Sequence, residues 1–281
     1  MSGVNPCGRG ARSWRPLSFL GRIGVVSFDR HGSAAIEPHP RFRSHPRVLS
    51  WLVARMMRAE REARPYQVGI AGPRNSSKSG TAKEMLRVLS QHNRAALLSM
   101  DNYFKPWEFF RANGIDPARQ GKDPAGIDLQ RLQKDIDALR QGRMIEVQTR
   151  DRYQRDYRGA VKSILGQGLD VLLIEGMSAI AMLSRELDLS VYIDISEVDA
   201  EKNLFFKPAR QRSLGLPVLS DREVYERFRA VDLKRFDEYY PQCRAKASIV
   251  VRLLYWRERY IMTLLVLRES VLRRLIKGER T

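Results

Sequence analysis

The chain has 281 residues, 43% of them hydrophobic, which is enough to bury the core of one domain with extensions. Its two cysteines, Cys7 and Cys243, exclude a disulfide scaffold, and none of the four histidines clusters with a cysteine, which argues against a structural zinc site. The net charge of +18 indicates attraction to polyanions such as nucleic acid, anionic lipid or phosphorylated substrates, unless one basic extension accounts for much of it.

Residues 1–45 are predicted to form a basic, disordered extension. Up to about Met57 the sequence holds nine arginines but only two acidic residues, Asp29 and Glu37. An arginine-rich, acid-poor start is also typical of organellar transit peptides. Because the few cysteines fit a reducing compartment, we expect a cytoplasmic protein, with an organellar location as the alternative.

An amphipathic helix is predicted next, over residues 46–65, with Val48, Trp51, Leu52 and Met56 on one stripe. Five near-continuous apolar runs then alternate with helical patterns: YQVGIAG, RAALLSMD, LDVLLIEG, DLSVYIDI and ASIVV. Such runs are typical of strands buried on both faces. The alternation predicts an α/β domain over residues 66–252, a three-layer α/β/α arrangement of a parallel sheet with helices on both faces. Sheets of this kind bind ligands at the carboxyl ends of their strands.

The stretch GPRNSSKSGT follows the first of these runs and has the spacing of a phosphate loop. Gly72 and Lys78 are six positions apart, and Ser79 stands where the metal-binding hydroxyl belongs. In such a loop backbone N–H groups surround a phosphate, while the lysine and the following helix add positive charge. Ser77 replaces a glycine of the pattern, at a place where φ is usually positive. The candidate nucleotide-binding residues are Gly72, Asn75, Ser76, Ser77, Lys78, Ser79 and Gly80.

Two carboxylates follow or end later strands. Asp101 comes directly after LLSM, where it would accept the proton of an attacking hydroxyl or else cap the next segment. Glu175 ends VLLIE, a usual place for a magnesium-organising carboxylate, although a strand-ending charge in solvent is the alternative. Gly176 is expected to leave room for a ligand beside it. Together with the loop, these positions predict a nucleotide site.

In this order the elements resemble the uridine kinase and phosphoribulokinase family of phosphate-loop kinases, from about Tyr66 to Arg252. GIAGPRNSSKSGT resembles its nucleotide loop, SMDNYF its D-x-[FY]-[FY] stretch, DPAGIDLQRLQKDIDALRQGR its substrate-side segment and helix, and VLLIEGMSAI its h-h-h-h-E-G-h element. The resemblance implies a P-loop NTPase-like fold, ATP and Mg²⁺. It also implies an alcohol-group phosphotransferase that moves the γ-phosphoryl group to a hydroxyl of a small molecule, a nucleoside or related acceptor.

The resemblance also implies roles for single residues. The catalytic residues it implies are Asp101 and Lys78, and the metal residues are Ser79 and Glu175. The acceptor would lie near Phe104, Ile127, Asp128 and Arg150.

Three stretches depart from the family pattern. Besides Ser77, Lys207-Pro208 replaces the Arg-Asp pair common in the lid, where Arg210 and Arg212 would then supply positive charge toward the nucleotide. Gln148-Thr149 replaces an expected aromatic residue, and the arginines that follow suit a more anionic acceptor, of the pantothenate kinase or phosphoribulokinase type. An ATP-binding pseudokinase or regulator is the alternative function. A nucleic-acid-binding protein ranks third, because no specific nucleic-acid module is present in the sequence.

Residues 253–281 are predicted to form a C-terminal amphipathic helix, with Leu264, Leu267, Val271 and Ile276 on its apolar side. We expect it to pack on the domain or on a second subunit of a homo-oligomer. The longest apolar run there, IMTLLVL, is far too short for a transmembrane segment.

Overall fold

The structure, a computed structural model, describes residues 24–29, 33–38, 44–60, 64–114, 126–150, 158–202, 204, 220–233, 240–256 and 259–277. Their strands form an eight-stranded sheet in the order β1-β2-β10-β9-β8-β3-β7-β4 and a separate two-stranded ribbon, β5-β6. The bounds are β1 (Gly24–Phe28), β2 (Ala34–Pro38), β3 (Tyr66–Ala71), β4 (Ala95–Ser99), β5 (Met144–Arg150), β6 (Arg158–Leu165), β7 (Val171–Glu175), β8 (Leu189–Ile195), β9 (Ile249–Trp256) and β10 (Arg259–Leu267).

The helices lie on both faces of the sheet. Along β7, Val171 and Leu173 belong to one apolar cluster while Leu172 and Ile174 belong to another, so the strand is buried on both sides. The first cluster includes side chains of α1, α2 and α9, and the second those of α4 and the ribbon. The helices are α1 (His45–Ala59), α2 (Lys78–Leu89), α3 (Trp107–Ala112), α4 (Leu129–Arg140), α5 (Ala179–Leu183), α6 (Glu197–Lys202), α7 (Asp221–Arg227), α8 (Tyr240–Lys246) and α9 (Glu269–Lys277).

The predicted α/β/α fold is confirmed, because the five apolar runs form β3, β4, β7, β8 and β9, and all four pairings among them are parallel. The sheet is nevertheless mixed. Strands β10, β2 and β1 continue it beyond β9 in antiparallel pairings. The fold therefore combines a parallel core with an antiparallel extension that the sequence analysis did not predict.

The predicted helix at residues 46–65 exists as α1, but one residue of its predicted stripe is wrong. Val48, Leu52 and Met56 are buried, whereas Trp51 is 41% exposed. The buried stripe is completed by Leu49 and Val53, which lie next to Val48 and Leu52 on a helix of 3.6 residues per turn. Trp51 lies at the margin of this stripe, and of the four predicted residues it is the exposed one.

The prediction of one helix over residues 253–281 is wrong. The chain continues as β9 to Trp256, returns as β10, and is helical only in α9. Val251 and Leu253 are buried while Arg252 and Leu254 are exposed, which is the two-residue period of a strand with one covered face.

The apolar side of α9 faces its own chain. Val271, Leu272 and Leu275 are buried in the cluster that also holds residues of α1. A homo-oligomer stays a prediction, but these three side chains are already covered within this chain.

The expected disorder of residues 1–45 is wrong where the structure describes them. Strands β1 and β2 pair with each other, and Ile36 of β2 pairs with Leu265 of β10. Ala34 and Ile36 are fully buried. The remaining residues of this segment, apart from a few beside the strands and α1, lie outside the described residues. In the part of the chain that the structure covers, no helix is long and apolar enough to cross a bilayer.

Candidate nucleotide site

The loop of residues 72–77 lies at the carboxyl end of the central parallel strand. Strand β3 is buried along its whole length between β7 and β8. The chain leaves it through the loop and α2 to reach β4 on one side, and later returns to β8 on the other. Ligands of α/β sheets bind at such reversals of strand order. The sequence pattern therefore occupies the place where the fold favours a binding site.

The loop keeps the backbone conformation that glycine usually provides. Asn75 and Ser77 have φ values of 65° and 62°, and among the non-glycine residues of the described ranges only these two have positive φ. Ser77 is the N-cap of α2, and its carbonyl oxygen accepts a hydrogen bond of 2.8 Å from the N–H of Thr81. The left-handed conformation costs a non-glycine residue about 1–2 kcal/mol. Replacing the glycine by Ser77 has therefore preserved the geometry of the loop at an energetic cost.

Gly80 leaves space for the side chain of Ser77 in the rotamer that it adopts. A Cβ atom at Gly80 would lie 2.9 Å from Ser77 Oγ, closer than real Cβ contacts come. The serine at position 77 is thus matched by a glycine one helical turn later.

The inner part of the loop contains a buried hydroxyl without a partner. Ser76 is fully buried, and its Oγ makes no hydrogen bond to any described residue. A Cβ atom at Gly72 would lie 2.8 Å from this Oγ and 2.7 Å from the carbonyl oxygen of Ile193. An unpaired buried hydroxyl costs about 1–3 kcal/mol, and a bound oxyanion would remove that cost. The loop is therefore tightly packed at Gly72, while the hydroxyl of Ser76 has no hydrogen-bond partner among the described residues.

Glu175 connects the loop helix to two strands. Glu175 is 4% exposed, and Ser79 of α2 donates a hydrogen bond of 3.0 Å to its Oε2. Ser99, the last residue of β4, donates one of 2.5 Å to its Oε1. A carboxylate so deeply buried needs such donors, since burying a charge without them is expensive. The ends of β4 and β7 and the start of α2 thus meet at one side chain.

Asp101 lies in a 3₁₀ turn, Met100–Tyr103, that begins directly after β4. It is half-buried and two residues beyond Ser99. The room predicted beside Gly176 is filled by protein, because a Cβ there would lie 2.7 Å from Met100 Cβ and 2.8 Å from its Sδ. Gly176 therefore admits the turn that carries Asp101, and the expectation that it leaves space for a ligand is wrong.

Three of the four predicted acceptor residues lie beside this turn, in two adjoining segments. Phe104 and Ile127 form an isolated antiparallel bridge, and the N–H of Asp128 donates to the carbonyl oxygen of Tyr103 at 2.8 Å. Ile127 is buried in the core. The carboxylate of Asp128 caps α4 by accepting a hydrogen bond of 3.0 Å from the N–H of Arg131, a structural task that the sequence analysis did not assign.

The remaining predicted residues are only partly covered. Arg150 ends β5, and the structure describes its backbone alone. Arg210, Arg212 and Lys207-Pro208 lie outside the described residues. In the ribbon, Gln148 and Thr149 both donate side-chain hydrogen bonds to backbone oxygens of β6, the threonine at 2.6 Å.

A second contact missed by the sequence analysis joins α1 to the loop helix. His45 Nε2 and Thr81 Oγ1 are 2.7 Å apart, and both residues are buried. Burial lowers the pKa of His45 from 6.5 to about 4, which keeps the imidazole neutral. No local pattern could have revealed this pair, because 36 positions separate the two residues. For Ser99 the sequence does contain a weak indication of a role in the site, because this residue lies at a strand end two positions before Asp101.

Residues 67–204 match the model of the phosphoribulokinase/uridine kinase family. This segment contains the loop, Asp101 and Glu175. Over this segment the chain is similar to that family. The antiparallel strands β1, β2 and β10 and helices α1 and α9 lie outside the matched segment.

One curated relative and several solved structures are also similar to this chain. A uridine kinase from Lactobacillus helveticus (strain DPC 4571) is 24% identical over 140 residues, which are 48% of this chain and 63% of that protein. A Silicibacter sp. TM1040 structure, named for a proposed fructose transport system kinase, has a TM-score of 0.56 at 21% identity and covers 70% of this chain and 94% of its own. D-glycerate 3-kinase from Cryptococcus neoformans has a TM-score of 0.54 at 14% identity, covering 75% and 94%. At these identities the structures show a shared fold and nothing more.

Proposed function

We propose that this protein transfers the γ-phosphoryl group of ATP to a hydroxyl group of a small molecule. The observation that carries the proposal is the contact of Ser79 with Glu175 next to a loop that retains positive φ at Ser77. It joins the hydroxyl and the carboxylate that a nucleotide-bound cation requires, at the start of a helix suited to phosphate. The similarity of residues 67–204 to a family named after two kinases supports the same reaction.

The residues present fit ATP and Mg²⁺. The unpaired hydroxyl of Ser76 and the close packing at Gly72 suit a loop that holds phosphate oxygens. Lys78 would place its ammonium group on the phosphates, and Ser79 with Glu175 would hold the cation. Mg²⁺ usually takes one or two protein ligands together with phosphates and water, so this small donor set is sufficient. When bound, Mg²⁺ neutralises charge on the β- and γ-phosphates.

Asp101 is the proposed general base. Its carboxylate would orient the acceptor hydroxyl and take its proton, and the adjoining segments at Phe104 and Ile127 would border the acceptor. In the ribbon, Gln148 and Thr149 donate their side-chain hydrogen bonds to the backbone of β6, and neither position offers an aromatic ring to a pyrimidine base. A nucleoside or related acceptor therefore competes with anionic acceptors of the pantothenate or sugar-phosphate kind.

The test is release of ADP by the purified chain with ATP and Mg²⁺, over a panel of nucleosides, pantothenate, sugar phosphates, fructose and D-glycerate. We expect one class of acceptor to stimulate release, and Asp101→Asn to lower kcat about 10²–10⁴-fold. The matched control is Asp137→Asn, because Asp137 is an exposed carboxylate on α4 in an ion pair with Arg140. If no acceptor raises ADP release above its rate without acceptor, the proposal is refuted.

The second candidate is an ATP-binding pseudokinase or regulator, which the strained backbone at Ser77 favours. It predicts saturable ATP binding that Lys78→Ala weakens, and no kinetic effect of Asp101→Asn. The third candidate, nucleic-acid binding, rests on the net charge of +18. Weak, strongly salt-dependent binding to DNA or RNA would point to charge attraction alone.

A further inference from the structure

We infer that Ser99 is a positioning residue for the cation site, acting through Glu175 on Ser79; this inference rests on the proposed function. Each oxygen of the Glu175 carboxylate accepts one hydroxyl hydrogen bond. Ser99 holds Oε1 at 2.5 Å and Ser79 holds Oε2 at 3.0 Å. Two donors from different elements therefore fix both the position and the rotation of the carboxylate plane.

The register of the sheet explains why Ser99 reaches this oxygen. Strands β4 and β7 are parallel, and Ser99 is the direct partner of Glu175 in their pairing. Lateral neighbours in a sheet place their side chains on the same face. The contact is thus built into the core of the fold, and the 4% exposure of Glu175 leaves little room for water to replace it.

The orientation of Glu175 determines how Ser79 can serve a cation. A hydroxyl has one proton to donate and two lone pairs. Because Ser79 gives its proton to Glu175 Oε2, its lone pairs remain for a cation on the phosphates. Glu175 then acts as the acceptor that orients Ser79, and Ser99 keeps Glu175 from rotating away. Outer-shell partners of this kind typically change metal affinity or activity by about 10–100-fold when they are removed.

Calorimetric titration with ATP, in EDTA and over a series of Mg²⁺ concentrations, tests this inference without any turnover. We expect the ATP affinity of Ser99→Ala in EDTA to lie within about twofold of the wild-type affinity. The Mg²⁺ concentration that gives half of the maximal increase in ATP affinity should rise about tenfold. Ser99→Thr keeps the hydroxyl and should restore the wild-type value. Ser99→Cys retains a side chain of similar size with a weak donor, so it carries the same expectation as Ser99→Ala if the alanine chain fails to fold.

Ser190→Ala is the matched control. Like Ser99, Ser190 is a strand serine whose hydroxyl has a side-chain partner, since its Oγ lies 3.0 Å from Ser248 Oγ. It is buried and lies near the amino end of β8, away from the loop. We expect a lower melting temperature from this variant and no change in Mg²⁺ dependence.

Three results would overturn the inference. Unchanged Mg²⁺ dependence in Ser99→Ala, with wild type responding to Mg²⁺, removes the role of Ser99 and leaves the kinase proposal standing. Equal loss of ATP affinity with and without Mg²⁺ assigns Ser99 a purely structural role. A wild-type chain whose ATP binding does not respond to Mg²⁺ overturns the proposed function itself, and this inference with it.

Discussion

The buried imidazole of His45 predicts that the protein loses stability as pH falls from 6.5 towards 4. Burial lowers the pKa of His45 from 6.5 to about 4, so in this window the unfolded chain binds a proton that the folded chain does not. The free energy of unfolding is therefore unaffected by the titration of His45 above pH 6.5, and it falls progressively as the pH drops below that value. Since a pKa difference of one corresponds to about 1.4 kcal/mol, the whole effect is about 3 kcal/mol, of which about 2 kcal/mol falls between about pH 7 and pH 5.

The assay is urea unfolding of wild type, His45→Gln and Thr81→Val at about pH 7 and pH 5. Glutamine does not titrate, so the fall in unfolding free energy between the two pH values should be smaller in His45→Gln by about 2 kcal/mol. Thr81→Val removes the hydrogen bond but keeps His45 buried, so its pH dependence should match wild type although its stability is lower at both pH values. Equal pH dependence in wild type and His45→Gln would refute the reasoning. Loss of the dependence in Thr81→Val would show that the hydrogen bond, and not burial, sets the pKa.

Three further predictions concern the packing beside Asp101, an ion pair far from the loop, and the backbone of the loop itself. Gly176→Ala should cost about 1–3 kcal/mol of unfolding free energy and lower kcat, because its Cβ displaces Met100 and the turn after it; unchanged values in urea unfolding and kinetics would contradict this. Arg274→Met should cost about 1–3 kcal/mol in urea unfolding, because it leaves the partly buried Glu60 without its guanidinium partner and removes the hydrogen bonds to Asp188 O and Tyr66 Oη. ATP affinity should stay within about twofold, because Tyr66 begins β3 and Asp188 precedes β8, at the amino ends of the strands. Ser77→Val should weaken ATP binding at least about tenfold in calorimetry, since a β-branched residue hardly tolerates φ of 62°, whereas Ser77→Gly should bind as wild type does.

The parallel core was predictable because its burial shows in the sequence. A strand covered on both faces has no polar alternation, so VLLIE and VYIDI stand out from their surroundings. Loop spacing and strand ends then placed Ser79, Asp101 and Glu175 on elements that meet at one edge of the sheet. What could not be predicted is which contacts join them, since Ser99 and Glu175 are 76 positions apart and only the strand order makes them neighbours.

The sequence analysis missed the antiparallel extension because its apolar residues fit both the spacing of a helix and that of a strand. Leu264, Leu267 and Val271 fall at helical spacing, yet Leu264 and Leu267 lie in β10 and Val271 in α9. Arginines between the apolar residues look like the polar side of a helix, but Arg252 lies on the exposed face of β9, where it pairs with Asp194 of β8. Pairing with β2, more than two hundred positions away, selects the strand over the helix. Tertiary pairing of this kind overrides local propensity and leaves no local signal.

The missing glycine of the loop also shows what a local sequence pattern fails to predict, here over only a few residues. The phosphate-loop pattern requires a glycine at position 77, so by the pattern alone Ser77 is a mismatch. The physical requirements are a left-handed backbone at position 77 and space for whatever side chain stands there. Ser77 meets the first at a cost of about 1–2 kcal/mol, and Gly80 meets the second because it has no Cβ to touch Ser77 Oγ. Gly80→Ala should therefore disturb the loop in wild type and be tolerated in the Ser77→Gly background, and equal effects in both would show that the two positions are independent.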